Sequence, residues 1–196
     1  MNTNRVIIIA GVPGAGKSTV LDEVYKKRAE KFSVVSFGTE MLNLSLSKKL
    51  VENRDQMRNL SHQAQHSLQI ETSNIIASKE GNILLDTHCA VKTPGGYMTG
   101  MTDEMLDILK PKAIILVDAH EVEIAGRRKT DKNRKTRTME AFDEIKLHKK
   151  MNRSFAVSFA QKSNALLKVV QNHTGEFDRC VNDIVKTLDY VINLDN

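Results

Sequence analysis

Arg5-Val6-Ile7-Ile8-Ile9-Ala10, followed at once by Gly11-Val12-Pro13-Gly14-Ala15-Gly16-Lys17-Ser18, is the stretch whose reading decides the fold. The first six residues form an apolar, β-branched run of the kind buried on both faces of a parallel sheet. The next eight complete a G-x-x-x-x-G-K-[ST] loop, and Thr19-Val20-Leu21-Asp22-Glu23-Val24-Tyr25-Lys26-Lys27 continues with helical spacing. Strand, glycine-rich loop and helix in that order make a phosphate cradle. With no side chains in the way, successive main-chain amides and the positive end of the helix face the negative charge. Lys17 is then placed to reach the β- and γ-phosphates of a nucleoside triphosphate, and the Ser18 hydroxyl to ligate Mg²⁺.

Working outward, apolar runs recur between helical stretches, which predicts an α/β fold built on a five-stranded parallel sheet flanked by helices. Val34-Val35-Ser36-Phe37 reads as a second strand, Asn82–Asp86 as a third and Ala113–Asp118 as a fourth. The segment 165–172 reads as a helix end running into a fifth. Helical spacing covers roughly 40–50, 58–79, 103–109, 121–129, 140–163 and 176–190. Ligands of open α/β sheets sit beyond the carboxyl ends of the strands. Gly11, Phe37-Gly38-Thr39, Asp86-Thr87-His88 and Asn172 punctuate those ends, and are expected to converge. Asp86 closes an aliphatic strand as the Mg²⁺-holding carboxylate of a P-loop enzyme does, but Asp118 closes another and competes for the role.

The 196 residues fit one domain, without repeat or Pro/Gly linker. No apolar run approaches the 18–20 residues of a membrane span, so no membrane partner is expected. The first residues pass straight into a strand, leaving no room for a cleavable leader, and Cys89 and Cys180 stand far apart without a CxxC pattern. These features predict a cytoplasmic protein. Seven cations lie between Arg127 and Arg137 against one acid, Asp131, which exceeds the net charge of +5 of the whole chain. So focused a charge suits a nucleotide's phosphate tail and not a long nucleic acid.

Several further residues carry chemistry. Arg54-Asp55-Gln56-Met57-Arg58 places Arg58, whose planar fork matches phosphate oxygens, between two helical stretches. At least two of Arg127, Arg128, Arg134 and Arg137 are expected to touch phosphate, where cations stabilise the charge of a transferring phosphoryl group. His62 and His66 share a helix face, but position 63 is Gln and no third ligand follows, so no metal site is expected there. Thr93-Pro94-Gly95-Gly96-Tyr97-Met98-Thr99-Gly100 reads as a turn-rich loop beyond the third strand, with Tyr97 offering a stacking face and a hydroxyl.

Together these residues resemble the archaeal-type adenylate kinases. The likeness runs through Gly11-Val12-Pro13-Gly14, Phe37-Gly38-Thr39, Arg54–Arg58, Asp86-Thr87-His88, Lys92-Thr93-Pro94 with Gly96-Tyr97 and Gly100, Arg127-Arg128 and Met151-Asn152-Arg153, nearly the whole chain. The resemblance implies one kinase domain over 1–196, with an AMP-binding helical region at 38–80 and a lid at 126–138. It implies reversible phosphoryl transfer, ATP plus AMP giving two ADP, with Mg²⁺ on Ser18 and Asp86. Residues 11–19, Arg127 and Asn172 would bind ATP, and Gly38, Thr39, Arg54, Arg58, His88, Thr93 and Tyr97 would bind AMP. Lys17, Arg58, Asp86, Arg134 and Arg137 would be catalytic, in a cytoplasmic homotrimer. The alternatives are a kinase for CMP or another acceptor, and an ATPase module acting with RNA or protein. The chain departs from the family pattern at three places: Lys17-Ser18 stands where Gly-Thr is common, Thr138 follows Arg137 where Asp is common, and Thr99 replaces a proline.

Overall fold

The computed structural model describes residues 5–130 and 142–194. Arg5–Ala10 forms β1, and the glycine-rich loop leads into α1 (Lys17–Arg28). β2 (Phe32–Ser36), α2 (Phe37–Ser47), a 3₁₀ turn (Asp55–Asn59), α3 (His62–Ala77) and β3 (Asn82–Asp86) follow. Next come β4 (Ala90–Thr93), β5 (Gly96–Thr99), α4 (Asp103–Leu109) and β6 (Ala113–Asp118). The chain closes with α5 (Glu121–Thr130), α6 (Phe142–Ser163), β7 (Leu166–Gln171) and α7 (Phe177–Asn193).

Five strands form one sheet in the order β2-β3-β1-β6-β7, every neighbouring pair parallel. β1 is central and fully buried, and from Val6 to Ala10 both its faces are apolar. Ile7 and Ile9 pack with Leu84, Ile115 and Val117 against α1 and α7, while Val6, Ile8 and Ala10 pack with Ile83, Leu85, Ile114 and Leu116 toward α4 and α6. The two cores are thus alternate residues of the same strands, the period-2 geometry of a sheet covered on both sides. Cys180, Val181, Ile184, Val185, Leu188 and Val191 bring α7 onto the first core at helical spacing. At the surface, Arg28 of α1 grips Asp189 of α7 with two bonds, at 3.0 and 2.5 Å.

The parallel sheet agrees with the sequence reading, and several boundaries differ from it, α2 running Phe37–Ser47 where helical spacing covered 40–50. β2 starts at Phe32 and ends at Ser36, because the backbone turns at Ser36 and the buried Phe37 opens α2 instead of closing the strand. Gly38 and Thr39 therefore lie in a helical first turn. The expected helix over 58–79 is divided, with the 3₁₀ turn first and α3 starting at His62, where the Ser61 hydroxyl accepts the Ala64 amide at 3.2 Å. The turn-rich loop at 93–100 is part of an antiparallel hairpin, β4 on β5, with Ala90 opposite Thr99 and Thr93 opposite Gly96. No described helix is long and apolar enough to cross a membrane.

Order reverses around β1: the chain moves out to β2, returns to β3 beside β1, then crosses to β6 on the other side. The loops after β1, β3 and β6 consequently meet at one edge, the position where open α/β sheets bind ligands.

Candidate active site

The loop after β1 is shaped by its glycines at two places. A Cβ on Gly11 would lie 2.6 Å from the Val117 carbonyl oxygen, so only glycine lets the loop leave β1 this close to β6. Gly16 sits at the N-cap of α1 with φ of 85°, a left-handed backbone that side chains disfavour, and a Cβ there would strike the Asn172 amide nitrogen. No side chain caps α1. Its first amides, which lack partners within the helix, suit an anion.

The loop's carbonyls are held from outside. Asn172 Nδ2 donates to Ala15 O at 2.9 Å, and Arg127 donates to the same oxygen at 3.2 Å and to Asn172 O at 2.8 Å. Arg128 Nε donates to Pro13 O at 2.7 Å. In a trans peptide the N–H points opposite to the C=O. Pinning the carbonyls of residues 13 and 15 therefore turns the amides of Gly14 and Gly16 toward the other side. The predicted ligand residues Arg127 and Asn172 are in place beside the loop, bonded to its main chain.

Lys17 forms an ion pair with Asp86, at the end of β3. Asp118 has other partners: its carboxylate accepts the Ala119 amide at 2.9 Å and pairs with Lys149 at 3.3 Å and Arg153 at 3.1 Å. Of the two aspartates, Asp86 is the one that faces the P-loop lysine. Ser18 and Thr19 are exposed on the first turn of α1. A hydroxyl and a carboxylate are hard oxygen donors, the set that suits Mg²⁺, which keeps most of its shell as water and phosphate. Cys89 lies buried nearby, where desolvation pushes its thiol up to about 12 against the opposing pull of Lys17.

The other predicted residues fall into two groups. Gly38 and Thr39 open α2, and Arg54 donates to Thr39 Oγ1 at 3.3 Å, so this group is brought together. Arg58 belongs to the 3₁₀ turn Asp55–Asn59. Thr93 and Tyr97 belong to the hairpin, which is docked on α6. Ala90 N donates to Asn152 Oδ1 at 3.3 Å, His148 Nε2 lies 3.4 Å from Ala90 O, and the Tyr97 ring packs on His148 at 5.2 Å. His88 is exposed between β3 and β4. Arg134 and Arg137, with most of the expected lid, lie outside the described residues.

Two features escaped the sequence reading as functional residues. Arg153 lines a cleft with Val12 of the P-loop, Lys149 and Asp118, and this cleft adjoins a wider cavity also lined by Lys146 and Lys150. Arg153 was visible only as part of Met151-Asn152-Arg153, a string with no chemistry of its own. The second is Glu123 of α5. Its Oε2 accepts the His120 amide at 3.1 Å and lies 2.9 Å from His173 Nδ1, and its Oε1 accepts the Thr174 amide at 2.5 Å. Burial alone would raise this carboxyl, but the hydrogen bonds from His173 and Thr174 and the His120 amide outweigh it and hold the group well below the usual carboxylate range.

A model of the AAA domain family matches residues 10–146. An adenylate kinase of Pyrococcus horikoshii is 40% identical over 190 residues, covering 95% of this chain and 96% of that protein. The chain belongs to the adenylate kinase family. An adenylate kinase of Methanothermobacter thermautotrophicus is 38% identical over 187 residues, 94% of this chain and all of that one. Among solved structures, a shikimate kinase from Bacteroides thetaiotaomicron superposes with a TM-score of 0.61 at 13% identity, covering 94% of this chain and 98% of the other. A thymidylate kinase from Ehrlichia chaffeensis gives 0.56 at 13% identity over 95% and 98%. These two share the fold alone. As a member of this family the chain is a nucleoside monophosphate kinase, a phosphotransferase.

Proposed function

We propose that this chain catalyses ATP plus AMP giving two ADP, reversibly, with the donor over the P-loop and the acceptor toward α2 and the hairpin. The observation that carries the reading is the pairing of Lys17 with Asp86, which joins the phosphate loop to the end of the neighbouring strand. Residues 11–19, Arg127 and Asn172 take the donor. Gly38, Thr39, Arg54, Arg58, His88, Thr93 and Tyr97 take the acceptor, in a helical region spanning 38–80 and the hairpin beyond it. Residues 126–138 form the lid, and Arg134 and Arg137 act from it.

An acceptor phosphate oxygen attacks the γ-phosphorus while the bond to the β–γ bridging oxygen breaks and its electrons leave with ADP. The protein holds the two nucleotides in line and neutralises charge as it spreads over the transferring oxygens. Lys17 supplies one cation. Arg153, beside Val12, supplies another by exchanging Asp118 for phosphate. Ser18 and Asp86 would hold Mg²⁺, which would withdraw charge from the donor phosphates. Family resemblance further supports a homotrimer in the cytoplasm, testable by sedimentation.

The deciding experiment measures ADP formation from MgATP with AMP, with CMP and with no acceptor. Rapid formation with AMP alone is expected. Preference for CMP, or hydrolysis stimulated by RNA or protein without AMP-dependent ADP, would overturn the assignment.

A further inference from the structure

β6 and β7 are parallel neighbours, so the turn from Asp118 into α5 and the turn from Gln171 into α7 emerge side by side. They are sewn together. Asn172 N donates to Asp118 O at 2.7 Å, and the rings of His120 and His173 stack with centroids 4.4 Å apart and planes 22° apart. Between them sits the Glu123 carboxylate, only 16% exposed, bonded to both turns. One helical turn later on the same face is Arg127, 3.8 Å from Glu123 Oε1. Arg127 in turn bonds Ala15 O and Asn172 O.

We infer that Glu123 is a positioning residue of the donor-nucleotide site, fixing Arg127 and the 172–174 turn so that both converge on the Ala15 carbonyl. Three elements must agree for that carbonyl to be held: the P-loop, α5 and the β7–α7 turn. Glu123 is the group bonded to the last two. Its negative charge sets the direction of the Arg127 fork, and its second oxygen fixes the turn that carries Asn172. Once Ala15 O is held, the Gly16 amide is aimed at the phosphates before the nucleotide arrives. Affinity for ATP then costs no ordering of the loop, the benefit of a preorganised site. The acceptor groups on α2 and the hairpin are untouched by this network. The inference rests on the P-loop being the ATP site.

The test compares Glu123→Gln, Arg127→Ala and the double variant in steady-state kinetics. Glu123→Gln keeps the shape but presents an amide NH₂ where only acceptors fit. A rise of about tenfold in KM for ATP is expected, the loss of one charge-assisted bond. KM for AMP and kcat should stay within about twofold, the split that marks uniform loss of donor binding. If Glu123 acts through Arg127, the double variant should be much less impaired than the product of the single effects. Equal rises in both KM values, or full multiplicativity, would refute the inference. Should Glu123→Gln not fold, His173→Phe keeps the stack on His120 but removes the bond to the carboxylate. A selective rise in KM for ATP there supports the inference, and unchanged values refute it. Lys17→Ala separates the two levels. If Lys17→Ala loses activity while Glu123→Gln is normal, only the role of Glu123 falls. If Lys17→Ala is itself normal, the donor-site reading falls and takes this inference with it.

Discussion

Lys17 and Asp86 are joined in an ion pair between the first turn of α1 and the last residue of β3. The strand register puts Asp86 opposite Ile9, two residues before the loop begins, so the carboxylate is delivered to the lysine by the sheet itself. A phosphate bound at the loop would compete with Asp86 for the ammonium, and the freed carboxylate would be a donor for Mg²⁺. Asp86→Asn should therefore lower kcat by about 10²-fold and shift the Mg²⁺ dependence to higher concentration. Kinetics across a Mg²⁺ titration check this, and an unchanged Mg²⁺ midpoint would remove Asp86 from metal binding.

Arg153 shares Asp118 with Lys149, on a cleft that includes Val12. An arginine serving the transferring group, and not the fold, should be dispensable for stability. Arg153→Ala is expected to lower kcat by about 10²-fold, while thermal unfolding stays within a few degrees. Normal turnover in this variant would return Arg153 to the surface.

The strands β1, β3 and β6 could be read directly because burial on both faces makes them uninterrupted aliphatic runs. The P-loop could be read because its backbone demands glycine at fixed places. The end of β2 was misread, since Val34-Val35-Ser36-Phe37 is apolar enough to extend a strand, while the turn at Ser36 is set by Phe37 entering the core below α2. The hairpin was invisible for a different reason. Its anchors, His148 and Asn152, lie 58 and 62 positions from Ala90. The Glu123–His173 contact is likewise a product of β6 lying beside β7 and has no local signature. Motifs with their own backbone requirements were legible, and groups made by strand adjacency were not.

Arg28 and Asp189 tie α1 to α7, and the hydrogen bond from Arg28 holds the Asp189 carboxyl below its ordinary range despite partial burial. Folding lowers this pKa, so the stabilisation is complete above the usual carboxylate range and disappears as pH falls through the folded-state value. Asp189→Asn should lower Tm at pH 7 by about 2–4 °C, corresponding to about 1 kcal/mol or less after solvent screening. The difference from the parent should vanish in acid. Melting curves from pH 7 to pH 2 check both; a difference that persists in acid would show that the loss is one of packing.

Cys89 and Cys180 are both buried with free thiols, and burial raises each, to about 12 and about 11. A thiolate is the reactive form, so the native protein should resist a disulfide reagent at pH 8 and release two equivalents only when unfolded. Rapid labelling of one thiol in the native protein would show that its burial is transient.

β1 has greasy residues on both sides, so its alternation alone resists sliding by one position poorly; a shifted Ile would still find an oily neighbour. What resists the slide is Gly11. Only the residue without a side chain can rest against the Val117 carbonyl, so moving the strand along by one would wedge Ala10 or Val12 into a space with no room. The catalytic loop therefore doubles as an index mark for the sheet, and replacing that glycine would misalign the scaffold as well as spoil the cradle.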